Sequence, residues 1–162
     1  MKTLYAKQKV FKLEDHYPIT DGDEQAVYQV DQNLKIFGYE VHVSHADGTP
    51  AFVVTQELMH FLPTFHVDFE NGERMTIKSR ISFLKKKIDV EYSDSNLLIT
   101  GDVWDWDFAI QEGEREVASV TRKFLTWGDT FTLEIFDDDY SDVAVAAMIV
   151  IDRLLDIEES AN

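Results

Sequence analysis

Residues 143 to 151 read Val-Ala-Val-Ala-Ala-Met-Ile-Val-Ile, an uninterrupted apolar run near the C-terminus. A helix that is apolar on every side has no face that water can solvate, so protein must surround it. A membrane-spanning helix needs about 20 apolar residues, and a run this short is typical of a buried core helix. We therefore predict a helix over about residues 141–157, with Ser141 as its N-cap, that the rest of the chain encloses.

The residues before this run have the pattern of β-strands. Apolar and polar residues alternate in many segments, for example at Phe65, Val67 and Phe69, and period-two alternation is typical of strands with one buried face. Turn dipeptides separate the segments; they are Asp21-Gly22, Asp47-Gly48, Asn71-Gly72 and Gly128-Asp129. The pattern predicts about twelve strands.

An open, flat sheet of this size could not enclose an apolar helix. Closing the sheet removes its edges and gives the helix a wall on all sides. No linker, repeat or change of composition divides the chain. We therefore predict one mainly β domain over residues 1–162, a closed antiparallel barrel of about twelve strands around a central hydrophobic C-terminal helix. Because the helix fills the barrel, we expect any ligand to bind outside it.

Composition excludes several classes of protein. The chain has 31 acidic and 15 basic residues and a net charge of −16, which argues against nucleic acid as a partner because such binding needs Lys and Arg to neutralise phosphates. There are no cysteines, so disulfides and thiolate metal sites are excluded. Lysines at positions 2, 7 and 9 interrupt the apolar stretch of a signal peptide. We expect a cytoplasmic protein.

The basic residues are concentrated in two stretches, and no acidic residue lies between Arg74 and Lys87. The second stretch contains Arg74, Lys78, Arg80, Lys85, Lys86 and Lys87. Its first three members alternate with apolar residues, which predicts that they share one outer face of one strand, with the lysines following at its far end. Such a strip could bind phosphate, because Arg offers a bidentate fork and Lys a point charge. The alternatives are a solvated strand face that resists edge pairing, and a strip neutralised by neighbouring acidic strands.

No metal site is predicted. The five histidines lack a ligand spacing, since His42 and His45 would lie on opposite faces of a strand. The acidic residues from Asp137 to Asp139, with Asp142, lack the glycine and distant glutamate of a calcium loop. Their position before the helix instead favours interaction with the helix dipole.

No catalytic residues are predicted either. Trp104 and Trp106 are expected to share one strand face with Asp105 and Asp107 on the other, an arrangement that favours an aromatic core and a solvated face. No nucleophile elbow, phosphate loop or zinc motif occurs. A hydrolase would need a metal or a close carboxylate pair in a pocket. We therefore predict a non-enzymatic protein without a cofactor.

Several segments carry a resemblance to a known family. They are Gly101-Asp-Val-Trp-Asp-Trp-Asp-Phe-Ala-Ile, Val117-Ala-Ser-Val-Thr-Arg-Lys, Trp127-Gly-Asp, the helix ending at Ile151-Asp152, and the opening Leu4-Tyr-Ala-Lys-Gln-Lys-Val-Phe. Together they resemble the LURP-one-related proteins, a branch of the tubby C-terminal-like superfamily that includes the phospholipid scramblases. The resemblance implies a closed barrel around a central helix. It also implies binding of anionic headgroups, because the tubby branch binds phosphoinositides through basic residues outside its barrel.

Two hypotheses for function follow. The first is a non-enzymatic module that binds anionic phospholipid headgroups, or another phosphate-bearing ligand, on the outer surface of the barrel and so sits at the membrane periphery. The second is a protein interaction or scaffold domain with no lipid affinity, which the high negative charge favours.

Overall fold

The structure, a computed structural model, describes residues 1–8, 14–33, 38–57, 61–82, 84, 86–125 and 128–161. The strands are β1 (Lys2–Lys7), β2 (His16–Thr20), β3 (Ala26–Asn33), β4 (Glu40–His45), β5 (Pro50–Glu57), β6 (Thr64–Phe69), β7 (Arg74–Lys78), β8 (Lys87–Tyr92), β9 (Ser95–Asp102), β10 (Asp107–Glu112), β11 (Arg115–Leu125) and β12 (Gly128–Ile135). A 3-10 turn (Asp138–Tyr140) leads into the helix α1 (Ser141–Ala161).

The twelve strands form a closed antiparallel barrel, as predicted. Each strand pairs with its neighbours in the chain, and β1 pairs with β12 over its whole length to close the ring. The pairing between β1 and β2 is shorter than that between β1 and β12, with Tyr5 opposite Thr20. Closure satisfies the backbone hydrogen bonds that an open sheet would leave at its edges.

Helix α1 passes through the barrel. It contacts β5 and β6 and also β11 and β12, which lie on opposite sides of the ring. All nine residues of the apolar run, from Val143 to Ile151, are at most 2% exposed. The inward side chains of the strands, such as Val54 and Leu133, complete one continuous core around them. The prediction of a central helix is therefore confirmed, and the physical reason is that only the barrel interior hides every side of such a helix.

The ends of the helix differ from the prediction. Ser141 is not the N-cap, because its backbone is already helical, with φ −57° and ψ −52°. The extended residue Asp137 caps the preceding 3-10 turn instead, and its carboxylate accepts a hydrogen bond of 3.0 Å from the backbone N–H of Asp139. The helix also continues to Ala161, beyond the expected end near residue 157.

Two local expectations were wrong. Gly128 and Asp129 do not form a turn but begin β12, where Gly128 lies opposite Leu125. Trp104 and Trp106 do not lie on a strand, because residues 103–106 form the turn between β9 and β10. Trp106 has a φ of 54°, which brings its ring inward onto Phe131 with 3.9 Å between ring centroids. The tryptophans contribute to the core, as expected, but from a turn.

The two ends of the barrel are built differently. Because the strands alternate in direction, the connections from β2 to β3, β4 to β5, β6 to β7, β8 to β9 and β10 to β11 all lie where the helix begins. We call this end the hairpin end, since these connections are short. The remaining connections lie where the helix finishes, and we call this the loop end. None of the described helical residues forms a segment long and apolar enough to span a bilayer.

Candidate functional site

Acidic residues dominate the hairpin end. Its turns and adjoining positions carry Asp21, Asp23, Glu24, Asp47, Glu70, Glu73, Asp94, Glu112, Glu114, Asp137, Asp138, Asp139 and Asp142. The described cations at this end are Lys2, Arg74 and Arg115. Arg115 is engaged by two carboxylates, with N–O distances of 2.5 Å to Asp137 and 3.2 Å to Glu112. This end therefore repels anions.

Most of the described cations lie toward the loop end. They are Lys7, Lys78, Arg80, Lys86, Lys87, Arg122, Lys123 and Arg153. Carboxylates such as Glu57, Asp102 and Glu158 lie toward this end too, so it is the cations that are distributed unevenly along the barrel axis. An uneven distribution of this kind orients a protein in an external field and steers it toward a charged surface.

Arg74 is separated from the other predicted binding residues. It begins β7 at the hairpin end, whereas Lys78 ends the same strand about 13 Å away, taking about 3.3 Å per residue. Its guanidinium is bound to Asp68 on β6, with N–O distances of 2.8 and 3.3 Å. The hydrogen bonds from Arg74 hold the pKa of Asp68 below its usual value. Neutralisation by a neighbouring acidic strand, one of the alternatives left open above, is what occurs here.

Arg80 lies beyond the strand rather than on it, which corrects the prediction. The alternation of buried and exposed residues continues to Ser82, but β7 ends at Lys78. Arg80 lies in the connection from β7 to β8 and links it to two other parts of the chain. It donates a hydrogen bond of 3.2 Å to the backbone oxygen of Phe61, and its guanidinium lies 3.7 Å from a carboxylate oxygen of Glu158 on α1.

The lysines at the start of β8 divide into paired and unpaired residues. Lys86 lies 3.2 Å from a carboxylate oxygen of Asp102, and the hydrogen bond from Lys86 lowers the pKa of that carboxyl. Lys78 and Lys87 are exposed and make no ion pair with a described residue. Lys85 lies outside the described residues. The cations that the structure brings together at the loop end are therefore Lys78, Arg80, Lys86 and Lys87.

Two exposed apolar side chains accompany these cations. Phe61, in the connection before β6, is 87% exposed, and Leu84, in the connection before β8, is 93% exposed. The guanidinium carbon of Arg80 lies 5.5 Å from the centroid of the Phe61 ring. Sequence reasoning missed both residues; the available signals were a leucine directly before three lysines and an apolar residue in a connection rather than a strand.

A cavity of about 410 Å³ opens at the hairpin end. Its lining includes Asp139, Asp142, Glu70, His45 and Tyr92. The carboxylates in this lining make the cavity unfavourable for an anionic ligand.

The carboxylate of Asp142, which lines this cavity, stabilises the start of the helix. It accepts a hydrogen bond of 2.6 Å from the hydroxyl of Tyr28 on β3, and it lies 3.9 Å from a ring nitrogen of His45 on β4. Burial, followed by the hydrogen bond to Asp142, raises the pKa of Tyr28, so its hydroxyl stays protonated and donating. Asp142, one member of the acidic cluster singled out in the sequence, thus connects the first turn of the helix to the barrel.

Within the described ranges, no three His, Asp or Glu side chains come close enough to hold a metal ion. The strongly raised pKa values among the described residues belong to the tyrosines Tyr17, Tyr28, Tyr39 and Tyr92, for which burial is the largest cause. A raised tyrosine pKa makes the hydroxyl a poorer proton donor at neutral pH.

Comparison with known proteins identifies the family and supports the fold. The family model of the LURP-one-related proteins matches residues 2–152. The chain is 30% identical over 162 residues to the uncharacterized protein YxjI of Bacillus subtilis (strain 168), covering 100% of this chain and 99% of YxjI. The crystal structure of a protein from Arabidopsis thaliana superimposes with a TM-score of 0.66 at 15% identity, over 94% of this chain and 90% of that one.

The name of YxjI states no enzymatic activity. The match to the plant structure concerns the fold. Family and fold together support a non-catalytic binding domain in general. Because the family model matches residues 2–152 of the 162 residues, the chain belongs to the LURP-one-related family.

Proposed function

We propose that this protein is a non-catalytic module that binds phosphate-bearing ligands, in particular anionic phospholipid headgroups, on the outside of the barrel at its loop end. The observation that carries the proposal is the gathering of Lys78, Arg80, Lys86 and Lys87 around the connection from β7 to β8. Lys85 belongs to the proposed set by its place in the sequence. Arg74 leaves the set, because it lies at the other end of β7 and is bound to Asp68.

The filled interior supports an external site. Helix α1 occupies the space in which an empty barrel would carry a ligand, and its apolar run is buried against the strands. The cavity at the hairpin end offers carboxylates to a ligand that is itself negatively charged. Most of the described cations that could attract an anion lie toward the loop end instead.

The cations within the proposed site have different roles. Lys78 and Lys87 make no ion pair with a described residue, so a phosphate gains their charge without breaking an existing pair. Lys86 and Arg80 already contact Asp102 and Glu158, and both cations are about half exposed. They would share their charge between carboxylate and phosphate. Exposed charges of this kind attract a ligand strongly only at low ionic strength.

Co-sedimentation with lipid vesicles tests the proposal. The wild-type protein is expected to bind vesicles that contain anionic lipid, to bind them less as the salt concentration is raised, and not to bind purely zwitterionic vesicles. The single reversals Lys78→Glu and Lys87→Glu should each weaken binding. Lys2→Glu is the matched control, because it changes the charge equally at the opposite end of the barrel.

Two outcomes would overturn the proposal. The first is absence of binding to anionic vesicles at low salt together with absence of binding to soluble inositol hexakisphosphate. The second is equal weakening by Lys2→Glu and Lys87→Glu, because only net charge would then matter. Either outcome would favour the protein interaction or scaffold domain instead. The expected location, cytoplasmic and peripheral to a membrane, is part of the same proposal.

A further inference from the structure

Large apolar side chains stand in water beside the cations of the loop end. Phe61 and Leu84 are 87% and 93% exposed. They lie on the connections before β6 and β8, and these connections flank β7 at the same end of the barrel. Isolated exposed apolar residues need no explanation, but two at the tips of neighbouring loops among cations call for one.

Arg80 holds these two connections in a fixed relation. It donates to the backbone oxygen of Phe61 at 3.2 Å, while its guanidinium carbon lies 5.5 Å from the centroid of the Phe61 ring. The same guanidinium reaches Glu158 on the last turns of α1, 3.7 Å away. The base of the Phe61 tip is therefore braced against the core, and its ring still projects into solvent.

Leu84 is followed closely by positive charge. Lys86 and Lys87 come two and three residues later, and Lys87 is exposed at the first position of β8. Each apolar tip thus has a cation immediately behind it, Arg80 for Phe61 and the lysines for Leu84. Peripheral membrane proteins have this arrangement. Their outermost apolar side chains insert at the boundary between the headgroups and the acyl chains, while the cations next to them contact lipid phosphates.

We infer that the partner of this surface is an anionic lipid bilayer, into which Phe61 and Leu84 insert while Lys78, Lys86 and Lys87 lie in the headgroup layer. This inference rests on the proposed function and specifies its ligand. Charge complementarity supports it, because eight described cations lie toward the loop end and only three lie at the hairpin end, and the segment from Lys78 to Lys87 contains no acidic residue. A free phosphate would use the cations but would gain nothing from the two apolar tips.

Site-specific fluorescence tests the insertion directly. The natural chain has no cysteine, so Leu84→Cys introduces a single thiol for an environment-sensitive fluorophore. With anionic vesicles, emission from this site should shift to the blue and be quenched by lipids brominated along their acyl chains. The control is Ser95→Cys, exposed at the hairpin end, which should show neither effect.

The partitioning of serine variants between buffer and vesicles is the second test of insertion. Phe61→Ser and Leu84→Ser should each weaken vesicle binding on the order of tenfold, because each loses most of the free energy of burying a large apolar side chain. Neither should change the affinity for soluble inositol hexakisphosphate. Phe136→Ser, which removes a partly exposed ring at the hairpin end, should leave vesicle binding unchanged.

The results separate this inference from the proposed function. Salt-sensitive vesicle binding with an aqueous fluorophore at position 84 and unaffected serine variants would overturn insertion and leave headgroup binding intact. Binding of inositol hexakisphosphate without binding of vesicles would do the same. Loss of all binding to both probes would remove the proposed function itself. A blue shift with zwitterionic vesicles of equal size would refute the charge complementarity on which the inference depends.

Discussion

Shortening Ile149 step by step tests whether the barrel tightly encloses the helix. This side chain is 2% exposed in the middle of the apolar run. Ile149→Val should cost about 0.5–1.5 kcal/mol, and Ile149→Ala about 2–5 kcal/mol, because the surrounding strands cannot collapse fully into the space. For a chain of this length, that loss corresponds to a fall in melting temperature of roughly 4–20 °C for the alanine variant. Ile149→Asp places an unpaired charge in the core, and its cost rivals the whole stability of about 5–15 kcal/mol.

Urea denaturation followed by circular dichroism and tryptophan fluorescence measures these losses. The control is Ser160→Asp, which introduces the same charge on an exposed position of the last helical turn. It should cost about 1 kcal/mol or less, through the helix dipole and the loss of the exposed hydrogen bond that the Ser160 hydroxyl donates to the backbone oxygen of Asp156. A folded Ile149→Asp variant with the melting temperature of wild type would refute the enclosed helix, as would equal losses at positions 149 and 160.

Three further predictions concern the residues that hold the barrel together. Tyr28→Phe should lower the free energy of unfolding by about 1–3 kcal/mol, because it removes the hydrogen bond to Asp142. Tyr5→Phe is the control and should leave the free energy of unfolding unchanged, because the Tyr5 hydroxyl makes no hydrogen bond with a described residue. Equal losses for the two variants in urea titrations would contradict this prediction. Gly101→Ala should cost about 3 kcal/mol or more, because its Cβ would lie 2.5 Å from the backbone oxygen of Asp107 at a φ of +122°. Gly48→Ala, at a φ of +88° with open space around it, should cost about 1–2 kcal/mol, and thermal melts that reverse this order would refute the close approach of β9 and β10. The pKa of Asp68 is lowered by hydrogen bonds from Arg74, so its stabilisation is present above the unfolded pKa of about 3.9 and is lost as the pH falls through the folded pKa. Asp68→Asn should therefore show a smaller decline in urea midpoint below about pH 4 than wild type, and an identical acid profile would exclude the pair as a contributor.

The architecture could be predicted because the buried faces of helices and strands produce periodic patterns of apolar residues in the sequence. Nine consecutive apolar residues and period-two alternation define a helix that must be enclosed and strands that can enclose it. The ends of elements leave a weaker record. The alternation of exposed and buried residues continues past Lys78 to Ser82 although the hydrogen-bonded strand does not, so Arg80 was assigned to the wrong element. Trp106 adopts a positive φ in a turn, which nothing in its side chain favours.

The candidate site depended on contacts that only the strand register determines. Whether Arg74 is free depends on Asp68, and whether Lys86 is free depends on Asp102. These carboxylates lie on other strands, so the run of basic residues could not reveal its own neutralisation. The concentration of the cations at one end was equally hidden, because it follows from which connections share an end of the barrel. The exposure of Phe61 and Leu84 has no periodic signal, since both lie in connections.

Hydrogen exchange of the intact protein, with and without anionic vesicles, tests most directly whether the loop end is the binding surface. The account predicts slower exchange in the segments around Phe61, Leu84 and Lys87 when vesicles are present, with the hairpins around Asp47 and Asp94 unchanged. Purely zwitterionic vesicles should produce no such protection. Protection at the hairpin end, or a uniform profile despite vesicle binding, would contradict it.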